Sequence, residues 1–269
     1  MRSKQITLED VELLRETRPT RRCFAEHASV RARAEGQFVV STLFPSIDRL
    51  FERDTKILTN SGPYGPYRYL DNEQEIAKAL EWQERHKGLI FLRDMLDCSI
   101  ALDYNLASAG VYTDLGLAEH NAKTARNKAA VKSLARACVR AIKNVTFFAE
   151  SDAVCAVPPS PEKEWDLPTE IVELVSERLG KPNVSAAVRF TLKKKSVKAI
   201  SLEDKWGALR AGKLKIERTI INGKKIILID DKYQSGTTAQ FIAAKLYDAG
   251  AMEVNGLFCI KTWRNTDNR

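Results

Sequence analysis

Apolar residues recur at three- and four-residue spacing through much of the first hundred positions of the chain. This spacing is typical of amphipathic helices, and it predicts helices over residues 25–40, 44–58 and 72–105. Residues 60–67 contain two Gly-Pro steps, which predict a loop between the second and third of these helices. We therefore predict that residues 1–108 form a mostly helical N-terminal region.

The pattern changes after residue 108, where short apolar runs begin to alternate with helical patterns. This alternation predicts an α/β domain over residues 109–269, with a parallel sheet and helices on both faces. The clearest strand is the run of four aliphatic residues Ile226–Ile229. The predicted strands are 153–157, 186–192, 226–229 and 254–260, and the predicted helices are 114–143, 167–180 and 238–249.

Positive charge is concentrated in the predicted α/β domain. The chain has 43 Lys and Arg against 35 Asp and Glu, and residues 1–110 hold 16 of the basic and 17 of the acidic residues. The excess therefore lies in the remainder, where it suits a phosphorylated ligand or nucleic acid. No apolar run approaches the ~20 residues of a membrane-spanning helix, and the polar N-terminus lacks the apolar core of a secretory signal. We expect a cytoplasmic protein without a membrane partner.

The segment with the most chemical information follows the strand Ile226–Ile229. Asp230 and Asp231 come next, at the carboxyl end of a strand, where open α/β sheets bind ligands. Adjacent carboxylates there need hydroxyl groups or a metal ion, because burying them without partners is costly. After three spacers, Ser235–Thr238 opens the next helix, whose first amides and dipole suit a phosphate. A plain strand-turn-helix connection explains each feature alone, but the complete string favours a sugar-phosphate site.

This string resembles the motif with which type I phosphoribosyltransferases bind 5-phosphoribosyl-1-pyrophosphate (PRPP). The resemblance covers about residues 110–265 and is specific at the motif. It implies that Asp230 and Asp231 hold the ribose 2- and 3-hydroxyls, often together with Mg²⁺. It also implies that the cradle for the 5-phosphate consists of Gln234, Ser235, Gly236, Thr237 and Thr238.

The order of other features is similar to the competence-protein ComF-like branch of that family. Tyr112–Gly116 precedes a helix and Ala156–Pro161 follows a strand, and a basic loop then precedes the motif. Three features depart from the pattern. The N-terminal cysteine zinc finger is missing, Lys232 stands where an aliphatic residue is usual, and Gln234 replaces the Asp of purine-salvage members. The last departure argues against a hypoxanthine or guanine acceptor, so the acceptor is left open.

A proline-rich loop corresponds to the family's pyrophosphate loop. Residues 158–163 follow a predicted strand, as that loop does. We predict that Pro159, Ser160 and Lys163 bind pyrophosphate, although a rigid proline turn explains the segment equally well.

A lysine-rich loop corresponds to the family's mobile lid, over residues 193–198. A cationic lid closes over pyrophosphate, excludes water and neutralises the leaving group. A run of lysines is also commonly a solvated face. Within this loop we expect Lys198 to act in catalysis, together with Asp230 and Asp231.

The resemblance implies binding of PRPP and Mg²⁺ and displacement of pyrophosphate by an unknown acceptor, with catalysis mainly by positioning and electrostatics. The residues leave open a non-catalytic PRPP sensor or nucleic-acid-binding module, because the basic charge and Trp263–Arg264 suit DNA or RNA. A helical interaction protein with a vestigial second domain is a third alternative. An ATPase is disfavoured, since residues 207–213 match a P-loop but Leu214 replaces its hydroxyl residue. We also expect a homo-oligomer.

Overall fold

A computed structural model describes residues 4–16, 29–33, 37–42, 45–63, 65–193 and 201–263. Lys198 of the predicted lid lies outside these described residues. The elements up to residue 112 are α1 (Leu8–Glu16), β1 (Ser29–Ala32), β2 (Phe38–Ser41), α2 (Pro45–Thr55), β3 (Asn60–Gly62), β4 (Gly65–Leu70), α3 (Glu73–Arg85), β5 (Ile90–Phe91), β6 (Ser99–Ala101), β7 (Leu106–Ser108) and β8 (Val111–Tyr112). The elements that follow are α4 (Asp114–Ala125), α5 (Lys128–Asn144), α6 (Thr146–Ala149), β9 (Ala153–Ala156), α7 (Leu167–Leu179), β10 (Val188–Phe190), α8 (Leu202–Ala211), β11 (Leu214–Ile216), α9 (Arg218–Ile221), β12 (Lys225–Tyr233), α10 (Thr237–Asp248) and β13 (Glu253–Lys261).

In its described residues the N-terminal region is not mostly helical, which corrects the prediction for residues 1–108. Strands β1, β2, β4 and β3 form an antiparallel sheet in that order. The helix predicted over 25–40 and the loop predicted over 60–67 are therefore wrong, whereas α2 confirms the helix predicted over 44–58. Short apolar segments fit a strand as well as a buried helix, so spacing alone does not separate the two.

The long helix predicted over 72–105 ends at Arg85. The side chain of Asn72 caps its start, and Gly88 just beyond its end has a φ of 82°, a left-handed conformation that terminates helices. The chain then forms β5 and β6, and β6 pairs with β13. The central sheet thus draws strands from both sides of residue 108, and the domain division predicted there stays a prediction.

The central sheet has five strands in the order β5-β6-β13-β12-β9. The pairs β6–β13, β13–β12 and β12–β9 are parallel, and β5 pairs antiparallel with β6 at one edge. Strands β9, β12 and β13 confirm the strands predicted over 153–157, 226–229 and 254–260. The strand predicted over 186–192 is shorter and pairs with β11 in a separate two-stranded sheet.

Helices cover both faces of this sheet, as predicted. Ile227 and Ile229 of β12 pack into a core with α4, α5 and α7, and the intervening strand residues pack against α8 and α10. Four consecutive buried aliphatics are what a strand covered on both faces requires. The same alternation directs the next two residues, so that Asp231 falls on the side of α4 and Asp230 on the side of α10.

The helices after residue 113 largely match their predictions. The segment predicted as one helix over 114–143 is two helices, because Arg126 has a φ of 49° and Asn127 caps α5. Helix α7 ends at Gly180, whose φ of 64° is left-handed. In the described ranges, no helix is both long and apolar enough to cross a bilayer.

Strand β12 is longer than its neighbour β9, and this difference opens a cleft. The pairing ends at Ile229, whose carbonyl accepts the amide of Val157 at 2.9 Å. Pro158 and Pro159 follow, and proline has no amide proton with which to extend the ladder. Strand β12 continues through Tyr233 against β13 alone, so its last residues border the cleft.

Candidate functional site

The loop between β12 and α10 is shaped by one glycine and one tyrosine. Gly236 precedes the first turn of α10 with a φ of 70°, which glycine adopts without strain. A Cβ at this position would lie 2.1 Å from the hydroxyl oxygen of Tyr233, so glycine is required. Tyr233 is only 6% exposed and packs edge-on against Phe258, with 4.8 Å between ring centroids. The tyrosine therefore supports the loop from beneath.

The same loop presents hydrogen-bond donors. Within the described part of the chain, the amide N–H groups of Ser235, Gly236 and Thr238 have no acceptor. The amide of Thr237 makes only a long contact of 3.5 Å to the Ser235 hydroxyl, and the two hydroxyls are 3.0 Å apart. Unpaired amides at a helix N-terminus carry partial positive charge. The loop thus suits an anion such as phosphate.

Asp231 is paired with a lysine that no local sequence pattern indicated. The Nζ atom of Lys123, on α4, lies 2.5 Å from Oδ2 of Asp231 and 2.8 Å from Oε1 of Glu119, one helical turn earlier. Glu119 also contacts Lys232 of β12 at 3.1 Å, which explains a lysine at the position where an aliphatic residue is usual. These four residues form a line of alternating charge that ties strand β12 to helix α4.

The charge on Asp230 is poorly compensated. Burial raises the pKa of Asp230 well above its usual range, the charge of Asp231 raises it further, and Lys123 opposes both effects. For Lys123, burial lowers the pKa, but the charges of Asp231 and Glu119 outweigh burial and raise the pKa above its ordinary value. The lysine stays charged, and the aspartate pair still favours a further cation or hydroxyl donors.

Two cavities meet at the aspartates. The smaller one, of about 260 Å³, is lined by residues 234–238 and the aspartate pair. The larger one, of about 530 Å³, lies between the aspartates and the segment 157–168. Lys123 and Thr238 line both cavities, as the two aspartates do. The segments predicted to hold the 5-phosphate and the pyrophosphate therefore face one continuous cleft.

The residues predicted to bind pyrophosphate lie on the wall of the larger cavity. Pro159, Ser160 and Lys163 all line it, and their role stays a prediction. The hydroxyl of Ser160 donates to Glu162 at 2.6 Å, and Nζ of Lys163 lies 3.8 Å from Oδ1 of Asp166. Lys163 is 59% exposed, so it can turn toward a ligand.

The part of the predicted lid that the structure describes ends beside this loop. Lys193 lies 3.9 Å from Glu162, and Lys198 is beyond the described residues. The segment 207–213 does not form a P-loop, because Gly207 lies inside α8 and the residue after Lys213 begins β11.

The cleft residues that were not predicted from the sequence include four with polar groups: Lys123, Lys205, Trp165 and Asp166. Lys205 of α8 is 5% exposed and lines the smaller cavity, which the loop between β12 and α10 also lines. Asp166 caps α7, and burial raises its pKa while Lys163 opposes that shift. Of the four, only Asp166 has a local signal, since an Asp ahead of Leu-Pro at a helix start is a common cap.

The aspartate pair suits a divalent cation that arrives with its ligand. Mg²⁺ prefers oxygen ligands and is commonly held by one or two carboxylates together with substrate phosphates. Asp230 and Asp231 offer two carboxylates on the cleft, and burial together with the charge of Asp231 raises the pKa of Asp230. No group of three or more His, Cys, Asp or Glu side chains in the described ranges could hold a metal. The role of Asp230 and Asp231 as metal ligands stays a prediction.

No family model and no curated protein matches the chain. Among solved structures, it is similar to a glutamine PRPP amidotransferase from B. subtilis in complex with ADP and GMP, with 17% identity and a TM-score of 0.31 over 82% of this chain and 46% of that one. It is also similar to a structure described as the allosteric regulatory enzyme of purine biosynthesis, with 16% identity and a TM-score of 0.32 over 82% and 44%. The chain spans less than half the length of these proteins, and likeness at this level identifies no family.

Proposed function

We propose that the protein binds PRPP with Mg²⁺ and transfers its phosphoribosyl group, as a type I phosphoribosyltransferase of the ComF-like branch does. One observation carries the proposal: a helix end with unpaired amides and a pair of adjacent carboxylates share one cleft. A ribose 5-phosphate unit carries the matching groups, an anion at one end and a 2,3-diol at the other.

In this proposal each part of the cleft holds one part of PRPP. The 5-phosphate takes hydrogen bonds from the amides and hydroxyls of residues 235–238, near the buried Lys205. The ribose hydroxyls donate to Asp230 and Asp231, and Lys123 shares Asp231 with the ligand. The pyrophosphate extends into the larger cavity, toward the segment 158–163.

The reaction is a displacement at the anomeric carbon of ribose. The bond from that carbon to the pyrophosphate oxygen breaks, an acceptor atom forms a bond to the carbon, and the acceptor loses its proton. Mg²⁺, when bound, neutralises part of the negative charge that develops on pyrophosphate. The residues of the chain contribute by orienting the ribose and by placing Lys163 near the leaving group.

Calorimetry with PRPP and Mg²⁺ tests the binding site. The double substitution Asp230→Asn/Asp231→Asn should abolish the binding heat of the wild type, because neutral amides lose the charge-assisted hydrogen bonds to the diol. Glu177→Gln, which removes one exposed charge from α7, should bind like the wild type. Equal heats for the double variant and the wild type would refute the assignment.

Turnover distinguishes a transferase from a sensor. Release of pyrophosphate from PRPP should appear with at least one member of a panel of nitrogenous bases and amines. Calorimetric binding without turnover on the whole panel would support a PRPP sensor and contradict transfer.

A further inference from the structure

One face of α5 is a continuous row of cations. Positions four residues apart carry Lys or Arg from the first residue of the helix, and a lysine follows near its end. Helix α5 contains no Asp or Glu, and its opposite face is buried in the core. We call this row the α5 basic face. It consists of Lys128, Lys132, Arg136, Arg140 and Lys143, which are all exposed.

The α5 basic face lacks the usual charge balance of a solvated helix. In the described ranges none of its five cations lies within an ion pair, although exposed cations on other helices, such as Arg85 and Lys245, pair with acids one turn away. Like charges four residues apart repel and destabilise a helix. A partner that supplies the missing negative charge accounts for this arrangement better than solubility does.

The surroundings divide the row into two parts. Lys128 and Lys132 share a cavity of about 690 Å³ with Glu170, Glu173 and Glu177 of α7, which offset part of their charge. The three remaining cations are farther along the helix. Arg140 lines another cavity of about 210 Å³ with Arg85 and Lys87, and that cavity has no acidic residue in its lining. Uncompensated positive charge therefore concentrates at the C-terminal half of α5.

An aromatic residue stands at the other end of the row. Trp165 lines the cavity beside Lys128 and also the larger cavity of the candidate site. The guanidinium of Arg126 lies over its ring, 5.5 Å from the centroid. A flat aromatic side chain beside a row of cations is the combination that holds unpaired bases and their phosphates.

We propose that the α5 basic face binds single-stranded nucleic acid, with phosphates along α5 and a base on Trp165. The span from Lys128 to Arg140 is about 18 Å at 1.5 Å per residue. This length lets several consecutive phosphates of one strand face the row. The binding requires neither PRPP nor transfer, and it stands whether or not the proposed function holds.

The test is fluorescence anisotropy of labelled single-stranded DNA and RNA oligonucleotides with the full chain, over a series of salt concentrations. The variant Arg136→Gln/Arg140→Gln/Lys143→Gln removes three contacts. Since each contact to a single strand contributes about 0.7 to the log–log salt slope, the slope should fall by about two. The affinity at low salt should fall at least about tenfold.

The variant Arg178→Gln/Arg210→Gln/Lys215→Gln is the matched control, because it removes the same charge from exposed positions on other elements. It should keep the wild-type slope. Trp165→Leu should weaken binding about fivefold or more without changing the slope, since stacking is not ionic. Circular dichroism and urea denaturation check that the variants are folded.

Three results would overturn the inference. They are no binding by the wild type at low salt, equal losses in the two triple variants, and binding to anionic phospholipid vesicles in place of the oligonucleotides.

Discussion

The Nζ atom of Lys123 and the Oδ2 atom of Asp231 lie 2.5 Å apart, so a lysine ammonium occupies the place from which a ribose hydroxyl or a cation would approach this carboxylate. Asp231 is 10% exposed at its side chain and Lys123 is 41% exposed. The lysine therefore has room to turn aside, whereas the aspartate does not. In the absence of a ligand, the ammonium group of Lys123 balances the charge of Asp231.

The first prediction concerns this pair. Lys123→Met should lower the free energy of unfolding by about 1–2 kcal/mol at pH 7. This loss is smaller than the usual cost of breaking a buried ion pair, because solvent screens the partly exposed Lys123. Mg²⁺ should recover part of the loss, because a bound cation would replace the missing ammonium charge beside the aspartates. Urea denaturation measures both effects.

Lys143→Met serves as the control for this prediction, since Lys143 is exposed on α5, away from the cleft. It should leave stability nearly unchanged, with or without Mg²⁺. A loss in Lys123→Met that is the same with and without Mg²⁺ would show that the lysine contributes packing and not charge.

The second prediction concerns Asp94, which accepts hydrogen bonds from Ser99 at 2.7 Å and from the amide of Leu96 at 3.0 Å. Burial raises the pKa of Asp94 to about 6, and the hydrogen bonds, including one from Tyr233 beneath the phosphate loop, oppose this shift. The folded state thus binds the proton more tightly than the unfolded state. The stabilisation is complete below the unfolded pKa of about 4 and is lost as the pH rises through about 6.

Asp94→Asn should therefore remove the part of the pH dependence of stability that Asp94 causes. Between pH 4 and 7 the wild type should lose up to about 3 kcal/mol of stability relative to this variant. Asp71→Asn, at a residue whose side chain is 63% exposed, should run parallel to the wild type. Urea denaturation at half-unit pH intervals gives the curves. A wild-type curve parallel to that of Asp94→Asn would mean that folding does not raise the pKa of Asp94.

The strand, loop and helix at residues 225–248 were predictable from the sequence because their parts are contiguous. The aliphatic run Ile226–Ile229, the two acids and the Ser-Gly pair lie within eleven positions, and β12 and α10 form where the pattern predicts them. Strand burial on both faces leaves a continuous apolar run as its signature. Features that are contiguous in the chain can therefore be recognised from the sequence alone.

The lysine that pairs with Asp231 was not predictable, because helix packing brings it to the cleft. Lys123 reaches Asp231 only because α4 lies on the same face of the sheet as the alternate residues of β12. The only sequence feature near Lys123 is Glu119, one helical turn earlier. Such acid–lysine pairs are common on solvent-exposed helices. The N-terminal sheet was missed for a different reason. Its strands are three to six residues long, too short for a period of two to be distinguished from a helical one.

The third prediction concerns Gly236. Gly236→Ala places a methyl group against the hydroxyl of Tyr233 and forces a non-glycine residue into a left-handed conformation. The strain alone costs about 1–3 kcal/mol, and the clash should also displace the loop and weaken PRPP binding at least tenfold. Denaturation and calorimetry measure the two effects.

Gly223→Ala serves as the control that separates backbone strain from displacement of the loop between β12 and α10. Gly223 has a similar φ of 74°, but nothing lies within 4 Å of a Cβ built there. This variant should lose a comparable amount of stability and bind PRPP like the wild type. If Gly236→Ala also binds like the wild type, the loop does not hold the phosphate.

The last prediction tests whether the pyrophosphate and the 5-phosphate of PRPP bind to different parts of the cleft. Ser160→Ala/Lys163→Gln should weaken PRPP binding about tenfold or more, because the pyrophosphate loses a hydroxyl donor and a cation. It should leave the affinity for ribose 5-phosphate unchanged, since that ligand has no pyrophosphate to enter the larger cavity. Thr238→Val, at the shared wall of both cavities, should weaken both ligands alike. Competition calorimetry gives the four affinities. An equal loss for both ligands in the double variant would assign Ser160 and Lys163 to loop structure, and no loss for either would place the pyrophosphate elsewhere.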